Sequence, residues 1–433
     1  MNNYLASDTL ESARVVQITD DAGVPTDDLL YCMRNDGDSK WLFITHVEQM
    51  HKDKKLRNLY CKNIAVTVDG EFDAHIYNTM TGEVEKVSYD AKDGKTTVYI
   101  EIYDNDSPLI RFTEKTTDSV RVEKPKFNAD VRVKVPCLND YTLDEENVLL
   151  LDKGEYKVDD GEWQPEDFFV PLNHTLRRQA GYEVSMSAQT EPWTLPDTVD
   201  KVITLRMTFD SKIETPVSLC YETGFDATLN GKPLDITADG FFVDFDIHKS
   251  KKFMIAKGTN VITVKVPFSK KTGVENLYLT GDFGVELKGG YTCITEREKK
   301  IGFGAIKYQG LPFYTGNITY KFNVDTPAGD MRINCKKFAG TLARVSIDGK
   351  DAGAVFIAPY ILNVKDVAAG THTVEIKVYG NRENAFGRVH NCKPDCWYGP
   401  GEWYPTGDAE SYEYCLADLG QLHAPVIEMQ LKK

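Results

Sequence analysis

The side chains best able to do chemistry gather near the C-terminus, where Asn384, Arg388 and His390 are followed by Trp397, Tyr398, Glu402 and Trp403. Indole and phenol rings stack on CH-rich ligand faces, while amide, guanidinium, imidazole and carboxylate groups make directional hydrogen bonds to hydroxyls. That combination suits a sugar. The plainer alternative is a Trp-rich lid that covers a β-sandwich or docks on a neighbouring domain. His390, Cys392, Cys396 and Cys415 are ligand types that suit zinc, but their spacing matches no standard knuckle, so a buried histidine and ordinary cysteines are the simpler expectation. Acidic turns at Asn139-Asp140 and Asp144-Glu145-Glu146 offer oxygen ligands for a structural calcium, or are merely solvated; no other cofactor is expected. Glycoside hydrolysis needs two carboxyl groups about 5 to 10 Å apart, for which Glu402 and Asp408 qualify by type alone. The sequence has no Gly-rich phosphate loop, Gly-x-Ser-x-Gly elbow or His-Glu-x-x-His helix, so phosphoryl transfer, serine hydrolysis and zinc proteolysis have no support.

These residues hang from a run of strands and turns between Phe338 and His390. Ala343, Val345 and Ile347 alternate with Arg344, Ser346 and Asp348, and Asp348-Gly349 then supplies a tight turn. A second strand is expected near Ala354 to Ile357. Ala358-Pro359-Tyr360 breaks the ladder, Ile361, Asn363 and Val364 resume it, and Gly370 precedes an alternating strand from Thr371 to Tyr379. Ala227 to Val266 repeats the order, with Asn230-Gly231 and Gly258-Thr259 at the turns, so two similar domains in tandem are expected. Upstream, seven strands from Ala13 to Phe112 are separated by turns such as Asp36-Gly37, Asp69-Gly70 and Asp93-Gly94, which predicts an antiparallel β-sandwich. Glu166 to Gln179 reads as the single convincing helix, with Phe168, Phe169, Leu172 and Leu176 on one face and Pro171 in the first turn.

At 433 residues the chain is long enough for about three domains. A net charge of -15 argues against nucleic acid or an anionic membrane as partner, since both need basic patches. Nine cysteines, an odd number spread through apolar runs, fit a reducing compartment better than a disulfide framework. Without a signal-peptide pattern or an apolar run long enough to cross a bilayer, a cytoplasmic location is expected.

The order of strands and turns from Phe338 to His390 resembles the sugar-binding jelly-roll domain of family 2 glycoside hydrolases and of the related α-L-rhamnosidases of family 106. The runs DLLYCMRNDGDSKWLFITH and IAVTVDGEFDAHIYNTMTGEVEKV resemble the small sandwich that follows the catalytic barrel there, and NLYLTGDFGVEL and GLPFYTGNITYKFNV resemble later segments of the rhamnosidase-like family. An Asn-x-x-Gly-Pro-His loop is usual in that family where this chain has Asn384 to His390, with Arg388 in place of proline. The resemblance implies an all-β fold: an antiparallel sandwich over 1–122, a linker with a short helix over 123–199, and galactose-binding-like jelly rolls over 200–288 and 289–433. It also implies a carbohydrate partner, a plant glycoside or oligosaccharide, met by Asn384, Arg388, His390, Trp397, Tyr398, Glu402 and Trp403. In the resembling enzymes both catalytic carboxylates come from the barrel, so no catalytic residue carries over. The expectation is the non-catalytic C-terminal part of a rhamnosidase-like glycoside hydrolase, working with a catalytic barrel domain or subunit. The alternatives are a free-standing carbohydrate-binding protein and a structural β-protein mediating association.

Overall fold

A computed structural model describes residues 14–26, 28–47, 61–103, 106–123, 126–182, 198–393, 403 and 407–432. The described chain is nearly all β in class, in sheets that are antiparallel save for one parallel contact between Lys201–Ser211 and Tyr291–Thr295, as the period-two alternation predicts. Its two α-helices are Phe169–Gln179 and the four-residue Glu383–Phe386. The longer helix starts three residues later than expected, because Gln164–Phe168 pairs as a strand with Lys153–Val158. Pro171 stays in the first helical turn, where its missing N–H costs nothing, and Phe169, Leu172 and Leu176 are buried. Among the described residues no helix is long and apolar enough to cross a membrane.

Three hydrophobic cores divide the fold. The first lies between two five-stranded sheets formed by residues 16–120, with Leu42, Ile44, Val66, Val98, Ile110 and Phe112 at its centre. The second fills a sandwich built mainly from 147–295, and the third a sandwich built from 131–143 together with 301–431. The stretch expected as a linker is therefore structural. Val131–Val133 pairs with Val426–Leu431 at the far end of the chain, and Leu138–Leu143 pairs with Ile318–Thr326. Asn147–Leu151 and Lys153–Val158 then enter the middle sandwich beside Leu277–Gly281 and Lys201–Ser211. Tyr291–Thr295, placed by sequence in the last domain, also joins the middle sandwich, through Lys201–Ser211 and Gly284–Lys288. Asn147–Leu151 escapes the sequence reading because NVLLL lacks the alternation that marks a half-buried strand.

That lack has a structural cause. All five residues of Asn147–Leu151 and all five of Leu277–Gly281 are buried, so both faces of their sheet are covered. The cover comes from the C-terminal segments: Phe386 packs 5.1 Å from Tyr278, ring to ring, and Tyr414 4.8 Å from Phe313. Where this cover is incomplete, it leaves a cleft.

The turn chemistry read from sequence appears as backbone geometry. Asp348 (φ 50°) and Gly349 (φ 74°) join Ala343–Ile347 to Lys350–Val355, and Asn230-Gly231 does the same in the middle sandwich (φ 52° and 76°). His372 pins the first of these turns: its Nδ1 lies 2.7 Å from Asp348 Oδ2, and its Nε2 lies 3.0 Å from the Ala368 carbonyl. These contacts, the carboxylate first, raise the His372 pKa, and the same contact lowers that of Asp348. A raised histidine pKa contributes stability that is complete below the unfolded value of about 6.5 and is lost as pH rises through the folded value; the lowered Asp348 contributes above about 3.9 and fades as pH falls through its folded value. The urea midpoint of the third sandwich should therefore fall between pH 6 and pH 8.5, and His372→Gln should flatten that slope. An unchanged slope in the variant would refute the assignment.

Candidate functional site

The cleft has a volume of about 460 Å³ and opens where the C-terminal segments cross the middle sandwich. Its sandwich wall comes from sites where strands end or turn: Asp152 between two strands, Phe168, Val170 and Pro171 at the helix start, Glu222 after Thr215–Tyr221, Val243, Asp244, Asp246 and Ile247 at a hairpin, and Glu275, Asn276 and Tyr278. The opposite wall is Phe386, Gly387, Val389, His390, Trp403 and Glu410. Strand ends converge here because side chains that leave the sheet no longer face a packed layer. The loop that spans them is held by pairs made elsewhere.

His390 is the main tie. Its Nε2 lies 2.8 Å from Asp152 Oδ2, its Nδ1 donates to the Ser411 carbonyl at 2.9 Å, and its ring lies against Phe168 and Tyr414 at 4.2 and 4.7 Å. Tyr414 donates its hydroxyl to Asp152 Oδ1 at 2.9 Å, and burial, then Asp152, pushes its pKa well above the usual range. Asp152 itself is only 3% exposed. Both ring nitrogens of His390 are thus engaged within the protein, leaving its carbon edge for a ligand. Asn384 is likewise committed, its amide bridging the backbone N–H and carbonyl of Ala417. Arg388 donates to the Lys393 carbonyl at 3.0 Å and lies 3.8 Å from Glu383, outside the lining of the cleft. Trp403 lines the cleft and is 44% exposed. Trp397, Tyr398 and Glu402 lie outside the described residues.

Five carboxylates besides Asp152 line the cleft: Glu222, Asp244, Asp246, Glu275 and Glu410. Desolvation of the carboxyl, then Asp246 and Asp244, push Glu222 above its ordinary range, although the residue as a whole is exposed. Such a group donates as well as accepts over a wider pH span than a free carboxylate. Asn276 adds a buried Oδ1 with no hydrogen-bond partner among the described residues, an acceptor a ligand hydroxyl can satisfy. With the Trp403, Phe168, Phe386 and Tyr278 rings, the cleft offers acceptors and apolar faces together. Sequence reasoning found only the loop side of this site. Asp152, Glu222, Asp244 and Asp246 were legible only as charges beside apolar strands, which are common on any surface.

The zinc ligand types do not assemble: His390 is tied to Asp152, Cys392 and Cys415 donate to the Asp408 and Glu413 carbonyls, and Cys396 lies outside the described residues. Among the described residues no group of three or more metal-ligand side chains stands together, and no disulfide links the cysteines. The acidic turns considered for calcium are held by cations: Asp140 by Lys300, Asp144 by Lys377, Glu145 by Arg382, and Glu146 by Lys249 and Lys252. Asp408 sits in a short exposed turn, and Glu410 of that segment lines the cleft instead.

No protein-family model matches the chain, and a search of curated proteins returns no match. Among solved structures the chain is similar to a rhamnosidase from Novosphingobium sp. PP1Y, with 14% identity and a TM-score of 0.43 over 98% of this chain and 26% of that one. It is also similar to a β-D-mannosidase from Dictyoglomus thermophilum, with 10% identity and a TM-score of 0.20 over 56% of this chain and 32% of that one. A GH31 α-xylosidase from Xanthomonas citri gives 9% identity and a TM-score of 0.15 over 92% and 32%. The chain spans 26% of the length of the rhamnosidase chain.

Proposed function

We propose that this chain is a carbohydrate-binding, non-catalytic part of a rhamnosidase-like glycoside hydrolase, whose catalytic carboxylates are supplied by a barrel domain or subunit. The observation that carries the proposal is the cleft, where the Trp403 indole and three further rings stand among carboxylate acceptors and the Asn276 Oδ1, which has no hydrogen-bond partner among the described residues. A sugar ring presents CH faces to the aromatics and hydroxyls to the acceptors, so one ligand satisfies both kinds of wall. The ligand class proposed is a plant glycoside or oligosaccharide.

A second surface favours a docked part over a free-standing binder. On the outward face of one sheet of the first sandwich, Cys32, Phe43, Leu109 and Tyr77 stand side by side across four adjacent strands. Phe43 is 39% exposed, and beside it Leu30 is 57% exposed. The next row carries Trp41 and Arg111, the guanidinium 5.1 Å from the indole ring. The solvated face of an antiparallel sheet is ordinarily polar, and an apolar row of this length suits a neighbouring domain.

The test is calorimetry with a panel of plant glycosides and oligosaccharides, run beside hydrolysis assays on aryl glycosides that include the α-L-rhamnoside. Binding without turnover is expected, and Trp403→Ala should weaken it about tenfold, or about 1.4 kcal/mol. Turnover abolished by Glu222→Gln would overturn the proposal and place the catalytic acid in the cleft. Absence of binding throughout the panel would remove the carbohydrate reading.

A further inference from the structure

We infer that the ligand is an extended glycan that leaves the first cleft over a phenylalanine ridge and continues into a second cleft. The inference rests on the carbohydrate reading above and specifies the length of what is bound. The second cleft, about 380 Å³, shares Val243 with the first, so one residue forms a wall of both. Each volume falls within the range of roughly 300 to 1,000 Å³ that holds a ligand larger than one sugar ring.

Val243 sits at the tip of the hairpin that joins Ala238–Phe242 to Asp244–Ser250. Its φ is 65°, a conformation that β-branched residues rarely adopt. On this hairpin Phe241 and Phe245 pack ring against ring at 4.5 Å, yet they are 50% and 78% exposed. Phe241 also lines the second cleft, which places the aromatic pair beside the shared wall. Two large rings kept together and largely in water are poorly explained by the sandwich core. They make a platform for the CH face of a sugar that lies between the clefts.

The second cleft supplies polar groups of a different kind. Arg382 is paired with Glu145, its Nη1 2.7 Å from Oε2, and Lys249 lies 2.7 Å from Glu146. A guanidinium has five N–H donors, and the pair with Glu145 engages two of them. The first cleft is thus rich in acceptors, and the second presents donors as well.

The test is a glycan array of plant-cell-wall oligosaccharides in length series of one to six units, followed by calorimetry on each series that binds. Affinity should rise at least tenfold between two and four units. Phe245→Ala should abolish that gain while leaving the affinity for the two-unit ligand and the melting profile unchanged, and Phe245→Tyr should restore it. Affinity that is independent of length, or the same length dependence in Phe245→Ala, would overturn the extended site while leaving the carbohydrate reading intact. Failure of every series to bind would overturn both.

Discussion

Replacing Asp152 with alanine should lower the stability of the middle sandwich by about 3 kcal/mol, because two half-buried polar groups, His390 Nε2 and the Tyr414 hydroxyl, lose their shared buried partner at once. The carboxylate is 3% exposed. Asp152→Asn keeps one acceptor oxygen and should cost roughly half as much. His390→Ala should approach the same loss from the other side, and the double variant should cost less than the sum, since the two residues act as one unit. Urea denaturation gives the global value, and hydrogen exchange across Asn147–Leu151 gives the local one. If Asp152→Ala proves neutral in both, the network does not hold the cleft wall. On the carbohydrate reading proposed above, ligand affinity should fall with that stability, because Phe386 and Val389 line the cleft beside His390.

Gly380→Ala should be nearly as damaging, through a different mechanism. A Cβ on Gly380 would lie 1.8 Å from the Thr315 carbonyl oxygen and 2.5 Å from that of Gly316, both backbone atoms that cannot rotate away. The two segments must separate, and overpacking of this kind costs about 1 to 3 kcal/mol. Gly380 follows the strand Gly370–Val378 and leads into Arg382, so the shift reaches the Glu145–Arg382 pair and the wall of the second cleft. We expect a loss of about 2 kcal/mol in the third sandwich by urea denaturation. A variant as stable as the parent would mean that the loop accommodates a methyl group without moving.

Much of the fold was readable wherever one face of a strand meets water. The strands expected between Ala13 and Phe112 are present, Ser39–His46, Cys61–Asp69 and Lys95–Tyr103 among them, since alternation records which side chains face the core. The short strands Val84–Lys86 and Ser119–Val120 carried too few residues to establish a period. Asn147–Leu151 was obscured for the opposite reason, being covered on both faces. The site was half legible. The loop from Asn384 to Trp403 stood out by residue type, but residue type does not tell a ligand contact from an internal bond: Asn384 and His390 turn inward to Ala417, Asp152 and Ser411. Glu222 and Asp246 meet that loop only through tertiary packing, across more than 130 residues of sequence.

The pairing of Val131–Val133 with Val426–Leu431 bears on how the protein is made. The third sandwich has its first strands early in the chain and its last strand at the end, with the whole middle sandwich translated in between. At about 5 to 20 residues per second, Leu138–Leu143 waits roughly ten to thirty seconds for its partner Ile318–Thr326 to emerge from the ribosome. During that interval its ladder groups face water or a chaperone. The middle sandwich, in contrast, meets its main partners within its own stretch and can form first, drawing the two halves of its neighbour together. The nascent chain therefore closes like a clasp, and the last strand to appear is the one that fastens it.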